Sequence, residues 1–390
     1  LGIPGTPMAA ATLLDAHPMA KAGRASEAIS LATISSTAGG VIGGLTLIFG
    51  APYLATIALK FGPAEIFALA LLGLTAIASL SQSGSVAKGL AAGVFGLLIA
   101  SVGNDPITGV RRFTFNSTDL DGGVTLVALL IGVFAISEVA IQIEQSAMPR
   151  RAAQKVVPML STLSTLVTRP IAYLRASVVG VLVGVIPGIG GITSAFFAYK
   201  LARDASGQPE TFGKGREEGV IASEAANSAT TGGAMIPMLA VGIPGDPVVA
   251  VLMGGLMIQG LTPGPMLFLM EPQVVSGIFA VFIIGAILIL PVGFLLLPFF
   301  VRLLRIPQSI LMGGVTLIAI LGVYAVQRQI FDLWMMMGFG VVGYAMRKMG
   351  FPLAPLVIGF VLGPIFEANF RRTLIMGGGD FLGTLASRPI

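Results

Sequence analysis

The chain has 390 residues, 11% charged and 55% hydrophobic, with 52 glycines and 24 prolines. Soluble domains carry about 25% charged residues, so this composition excludes an ordinary soluble enzyme and points to helices packed in lipid. The net charge of +5 sits in short clusters between apolar runs, without the basic stripe and interleaved aromatics of a nucleic-acid surface, so no nucleic-acid partner is expected. With no cysteine and His17 as the single histidine, thiol chemistry, disulfides and Cys/His metal centres are not expected.

Crossing about 30 Å of hydrocarbon takes roughly 20 apolar residues. By that measure about ten stretches qualify, near residues 29–59, 65–81, 86–103, 123–143, 176–199, 229–260, 274–300, 309–326, 332–346 and 351–368. The expected fold class is an all-α polytopic integral membrane protein. The chain opens at Leu1 with no signal-like pattern and reads as a fragment.

Two of these stretches are interrupted: Pro187-Gly188-Ile189-Gly190-Gly191, and Gly242-Ile243-Pro244-Gly245-Asp246-Pro247. Proline removes a backbone donor and glycine permits unusual dihedrals, so each helix should stop and restart, leaving free N–H groups at the new N-terminus. Irregular backbone survives at membrane depth only where it lines a cavity or is buried in protein. The motif Ile3-Pro4-Gly5-Thr6-Pro7 echoes the second break, which suggests an internal duplication. The expected organisation is a first repeat over 1–143, a linker over 144–175 and a second repeat over 176–390. The linker carries Arg150, Arg151, Lys155, Arg169 and Arg175 with no acid after Glu144, and by the positive-inside rule it is cytoplasmic. Three later basic clusters, Arg302/Arg305, Arg347/Lys348 and Arg371/Arg372, do not all fit that side if every segment simply spans, so a re-entrant C-terminal segment is one expectation.

Paired broken helices in two halves are the best sequence pointer to a transporter's midplane site. The helix restarting at Pro187–Gly191 offers bare N–H groups, with Thr193 and Ser194 just beyond. That combination suits a carboxylate. The competing reading is that these glycines only let helices approach closely. Asp246 either caps its helix or binds a coupling cation. Asn227 and Ser228 offer hard oxygen ligands, or serve only in capping and packing. Glu138 and Glu367 read as paired structural charges. A Gly-x-Gly-Asp pattern at Gly377–Asp380 raises an intramembrane aspartyl protease, for which Phe331-Asp332 is the nearest stand-in for a second carboxylate. A channel or ion-only exchanger is a further class.

Taken together, several motifs carry a resemblance. They are Gly184–Gly191 with Tyr199, Phe212-Gly213-Lys214-Gly215 with Glu217 and Gly219, and Glu224-Ala225-Ala226-Asn227. Others are Gly242-Ile243-Pro244-Gly245, Gly260–Pro265, and Ile3–Pro7 with Asp15, Pro18 and Gly23. The rest are Asp105, Gly109, Arg111, Arg112 and Phe113, Ser137-Glu138, and Glu367, Asn369 and Arg371. Across essentially its whole length the sequence resembles the large membrane subunit of the bacterial tripartite tricarboxylate transporters. The resemblance implies a multi-pass permease of the bacterial inner membrane, not an enzyme. It would import citrate-like carboxylates on a Na⁺ or proton gradient, with a small membrane subunit and an extracytoplasmic solute-binding protein as partners. No cofactor is implied beyond a coupling Na⁺. The expected substrate site comprises Pro187, Gly188, Ile189, Gly190, Gly191, Thr193 and Ser194, with Gly242, Pro244 and Gly245, and Pro4, Gly5 and Thr6; the expected cation ligands are Asn227, Ser228 and Asp246. Ser228 stands where the family often has a second asparagine, and Ala16-His17 where Gly-Tyr is common.

Overall fold

The computed structural model describes residues 7–79, 85–105, 108–144, 160–187, 190–303, 308–378, 380, 381 and 383. A 3₁₀ turn over Pro7–Ala10 leads into α1 (Leu13–Lys21), α2 (Ala25–Ala58), α3 (Pro63–Ser79) and α4 (Val86–Ala100). A two-stranded hairpin follows, β1 (Gly103–Asn104) antiparallel to β2 (Arg111–Arg112). Then come α5 (Leu126–Leu130), a π-helical turn over Ile131–Ile136 and α6 (Ser137–Glu144), which together make one span. After α7 (Thr165–Thr168) the chain forms α8 (Pro170–Val185), α9 (Gly190–Asp204), α10 (Glu217–Val241), α11 (Pro247–Ile258) and α12 (Pro265–Met270). It ends with α13 (Pro272–Leu303), α14 (Gln308–Gln327), α15 (Ile330–Lys348) and α16 (Leu353–Met376).

The all-α polytopic reading holds, with fewer full spans than the apolar stretches suggested. Among the described residues four helices are long and apolar enough to cross a bilayer: Ala25–Ala58, Leu126–Glu144, Pro272–Phe299 and Leu353–Met376. A fifth is added if Leu160–Thr168 and Pro170–Val185, bent by 82°, count as one. Other apolar stretches are shorter helices, such as Val86–Ala100 and Val248–Ile258. Composition locates apolar chain, but only the helix ends fix how far each piece reaches.

The chain divides into two compact units, each drawn from three stretches: Leu1–Lys60, Arg151–Val249 and Leu261–Arg305 in the first, Phe61–Arg150, Ala250–Gly260 and Ile306–Ile390 in the second. Of the expected linker, residues 145–159 lie outside those described; the rest is the end of α6, a 3₁₀ turn over Leu160–Ser164, α7 and the start of α8.

The first unit is organised around α10, which is mostly buried. Its run of Ala, Gly, Ser and Thr lets neighbouring backbones come close, the usual way helices pack without a hydrophobic driving force. Gly39 and Gly43 of α2 face the backbones of Ala225 and Ala229, and Gly180 and Gly184 of α8 face those of Ala226 and Thr230. Both pairings advance together, so α2 and α8 run parallel to α10. In the opposite sense, Gly191 of α9 lies beside Asn227 and Tyr199 beside Gly219. Thus α8 and α9 form a helical hairpin whose turn is the Pro187 break. With 16 and 15 residues these arms are about 24 and 22 Å long at 1.5 Å per residue, shorter than the bilayer core. The break therefore reverses the chain; it does not restart a helix in the same direction. Met19, Leu31, Ile34, Tyr173, Tyr199 and Phe212 close the core around α10.

In the second unit α16 packs along α4, with Gly96 against Leu356 and Gly363 against Ala100. α15 runs beside the π-helical turn and α6, with Gly343 against Val133 and Ser137. The two ends of this unit carry separate charge sets. At one, Glu138 pairs with Arg347, Lys348 with Glu144 at 2.5 Å, and Lys88 donates to the Met349 carbonyl at 2.6 Å. At the other, Arg112 pairs with Glu367 at 2.6 Å, and Arg371 with Glu367 at 2.7 Å and Asp105 at 2.8 Å. Arg347/Lys348 and Arg371 thus mark opposite ends of α16, and the acids beside Arg371 neutralise it. Glu138 and Glu367 are paired charges, as expected.

Candidate functional site

Three interruptions of helix come together in the first unit. The α8–α9 turn is the first: α8 ends at Val185 with Ile186 extended, and α9 starts at Gly190 with φ +69°, a backbone that L-residues adopt only with strain. Gly188 and Ile189 lie outside the described residues. At the second, α10 ends at Gly242 in the left-handed conformation, φ 81° and ψ 23°, the usual helix stop. Ile243–Asp246 then cross to α11, buried throughout. Third is the 3₁₀ turn Pro7–Ala10, which follows Pro4, Gly5 and Thr6; those three also lie outside the described residues.

The side chains show how closely these segments meet. A Cβ placed on Gly191 would stand 2.6 Å from Asn227 Oδ1 and 3.3 Å from Met8 Sδ. One placed on Gly190 would lie 3.9 Å from Asp246 Cβ. A Cβ on Gly245 would collide with Ala234 Cβ at 2.6 Å and the Gly184 carbonyl at 2.7 Å. The α9 N-terminus, the middle of α10, the α10–α11 crossing and the first 3₁₀ turn therefore share one locality.

Each expected site residue can now be placed. Asp246 is 3% exposed and accepts the Val249 N–H at 2.8 Å on Oδ1, which is an N-cap of α11. Its capping reading is realised, and its Cβ lies 3.9 Å from where a Cβ on Gly190 would stand. Ser194 is fully buried: its hydroxyl accepts from Thr230 at 2.7 Å and points to the Ala226 carbonyl at 3.4 Å. It fastens α9 to α10. Thr193 is exposed on α9 and Pro187 is half-buried. Asn227 and Ser228 are half-buried on α10, and neither side chain has a hydrogen-bond partner among the described residues. Gly242 ends α10, and Pro244 and Gly245 lie in the buried crossing.

Sequence reasoning missed the side chains that hold this locality in shape. Asp15 of α1 is fully buried and accepts the Gly215 and Arg216 N–H groups at 2.8 Å each on Oδ1, and the Tyr199 O–H at 2.8 Å on Oδ2. It thereby ties α1 and α9 to the start of α10. Glu224 accepts from Thr12 at 2.7 Å and from Ser36 at 2.9 Å, which joins α10 to the segment before α1 and to α2. Both acids stand in the quoted motifs, but their partners are far off in sequence, so no spacing could disclose the links. Met8 was unmarked in the sequence except by its position just after the first Ile-Pro-Gly.

The protease reading finds no support in the geometry. Asp332 Oδ1 accepts the Thr125 hydroxyl at 2.6 Å, and Asp380 Oδ1 the Gly383 N–H at 2.8 Å. Asp332 is thus bonded across 207 positions of the chain and Asp380 across three.

Residues 1–358 match the family described as the tripartite tricarboxylate transporter TctA family. The chain belongs to the TctA family. A relative from Agrobacterium vitis, an uncharacterized 52.8 kDa protein in the TAR-I ttuC' 3' region, is 36% identical over 392 residues, all of this chain and 77% of the relative. A second A. vitis relative, an uncharacterized protein in the TAR-II ttuC' 3' region, is 37% identical over 201 residues, 52% of this chain and 83% of its own length. No solved structure matches. TctA membership makes this chain the large membrane subunit of a transport system, and the broken-helix locality sits in its first unit.

Proposed function

We propose that this subunit imports a di- or tricarboxylate across the bacterial inner membrane, driven by a Na⁺ or proton gradient, with a small membrane subunit and an extracytoplasmic solute-binding protein as partners. The observation that carries the reading is the meeting of the α9 N-terminus with Asn227 and Asp246. Free N–H groups at the start of α9 attract a carboxylate through hydrogen bonds and the helix dipole. The α11 N-terminus differs, because Asp246 already caps it and Pro247 has no N–H to give. The substrate carboxylate accordingly belongs at Gly190 and Gly191, with Thr193 close by. Asp246, Asn227 and Ser228 form the oxygen-bearing side, suited to a coupling cation. Opposite charges in adjacent half-sites favour joint binding of anion and cation, which is the elementary requirement of symport.

The test is uptake of a radiolabelled carboxylate panel into proteoliposomes containing the permease and its small partner, with the binding protein outside. Saturable uptake that needs both the binding protein and a cation gradient is the expected result. Flux that ignores both would overturn the reading.

A further inference from the structure

Glu224 of α10 touches two hydroxyls, Thr12 Oγ1 at 2.7 Å from its Oε1 and Ser36 Oγ at 2.9 Å from its Oε2. No cation pairs with it among the described residues. The contact with Thr12 continues inward. Thr12 Oγ1 is also 3.0 Å from Ser223 Oγ, which stands 2.8 Å from the Gly219 carbonyl and 3.2 Å from that of Val220. Glu224, Thr12, Ser223 and a backbone carbonyl thus form one line of contacts, each at hydrogen-bond distance.

The supply of protons fixes the direction of that line. A carbonyl only accepts, so the single proton of Ser223 goes to Gly219 or Val220. Ser223 then accepts from Thr12, whose own single proton is thereby used. Thr12 and Ser223 are both buried, so water does not make up a deficit. With Glu224 ionised, Thr12 would have to donate to Ser223 and Glu224 at once. A protonated Glu224 removes the conflict: Oε1–H donates to Thr12, Oε2 accepts from Ser36, and every contact holds a proton. Donation from Thr12 to Glu224, as described above, belongs to the ionised form, in which the Thr12–Ser223 contact is empty of a proton.

The charged groups on the surrounding elements are committed elsewhere. Asp15 of α1 serves Tyr199 of α9 and the start of α10. Glu27 of α2 pairs with Arg24, and Glu217 and Glu218 of α10 pair with Arg169. Tyr173 of α8 bonds to Thr165. Lys21, Arg175, Lys200 and Arg203 are exposed, and His17 of α1 is not bonded to Glu224. Glu224 itself is half-buried, so water reaches the carboxyl to take and return its proton. Thr12 lies four residues after Met8, whose sulfur borders Gly191 at the α9 N-terminus. We propose that Glu224 is a proton-binding site of the transport cycle. Loss of its proton to water swings the Thr12 hydroxyl from Ser223 to the carboxylate and loosens the segment that sets Met8 against Gly191. The coupling role rests on the transport reading above; the bound proton rests on the hydrogen-bond geometry alone.

Infrared difference spectra of the full chain in nanodiscs, parent against Glu224→Gln, read the proton directly. At pH 7 the parent should show the C=O stretch of a protonated carboxylic acid that the variant lacks, and Thr12→Val, which removes the acceptor of that proton, should shift the band. A difference confined to carboxylate bands would overturn the proposal, whether or not the chain transports. In proteoliposomes with the small subunit and the binding protein, uptake driven by a pH gradient should fall at least tenfold in Glu224→Gln. Its melting temperature should stay near the parent's, because an amide donates to Thr12 and accepts from Ser36 as the protonated acid does. Undiminished pH-driven uptake by that variant would overturn the coupling role while leaving the transport reading intact. Absence of uptake by the unaltered assembly under any gradient would sink the transport reading and the coupling role together, and the infrared band would still decide the proton.

Discussion

Tyr199 donates its phenolic O–H to Asp15 across 2.8 Å, joining residues 184 positions apart. The contact fixes the far arm of the α8–α9 hairpin to the helix before α2. Through the same carboxylate it also holds the start of α10. A rigid frame behind a broken-helix site is what lets free backbone groups keep a fixed direction without side-chain charge to steer them.

This pair predicts a non-additive cycle. Tyr199→Phe removes a hydrogen bond to a charged acceptor, a type that contributes roughly 1.5–3 kcal/mol. Asp15→Asn should cost more, because two backbone N–H groups lose a charged partner as well. The double variant should be less destabilised than the sum of the two. Denaturant or thermal unfolding of the purified protein in detergent measures this, and strict additivity would contradict the shared role.

Asn227 should show the reverse pattern. Its side chain bonds to nothing among the described residues yet adjoins Gly191. Asn227→Ala is expected to leave the melting temperature near that of the parent and to lower uptake at least tenfold, equivalent to about 1.4 kcal/mol of lost binding. Parent-level uptake would remove Asn227 from the site.

Asp246 separates capping from charge. Asparagine caps helices about as well as aspartate, whereas alanine in place of a cap costs about 1 kcal/mol. Asp246→Asn should therefore keep stability and lose the dependence of uptake on the cation gradient, and Asp246→Ala should lose both. If Asp246→Asn transports with unchanged gradient dependence, the carboxylate is only a cap.

The four-charge set at the end of α16 predicts unequal costs. Asp105 has a side chain only 5% exposed, while Glu367 is 27% exposed. Replacing one member of a buried pair costs roughly 3–5 kcal/mol and exposed pairs far less. Arg371→Ala, which takes from the buried Asp105 its nearest cation and leaves Arg112 at 3.8 Å, should thus destabilise the protein more than Arg111→Ala, whose pair with Asp121 is half-exposed. Equal melting temperatures for the two variants would show the network to be energetically idle.

Much of this protein is written locally in its sequence. Low charge, long apolar runs and abundant small residues determine an α-helical membrane protein, because only helices and closed barrels satisfy the backbone in lipid. The Pro/Gly interruptions at Pro187 and Pro244 mark where helices end, since φ and donor constraints act within a few residues. The tertiary structure decided the rest. That Pro187 turns the chain back, that Gly190 lies beside Asp246, that Ser194 is consumed by Thr230 and that Asp15 reaches Tyr199 all depend on groups far apart along the chain. Their meeting is set by how closely small-residue helix faces can pack, a property of pairs of surfaces that no single stretch of sequence contains.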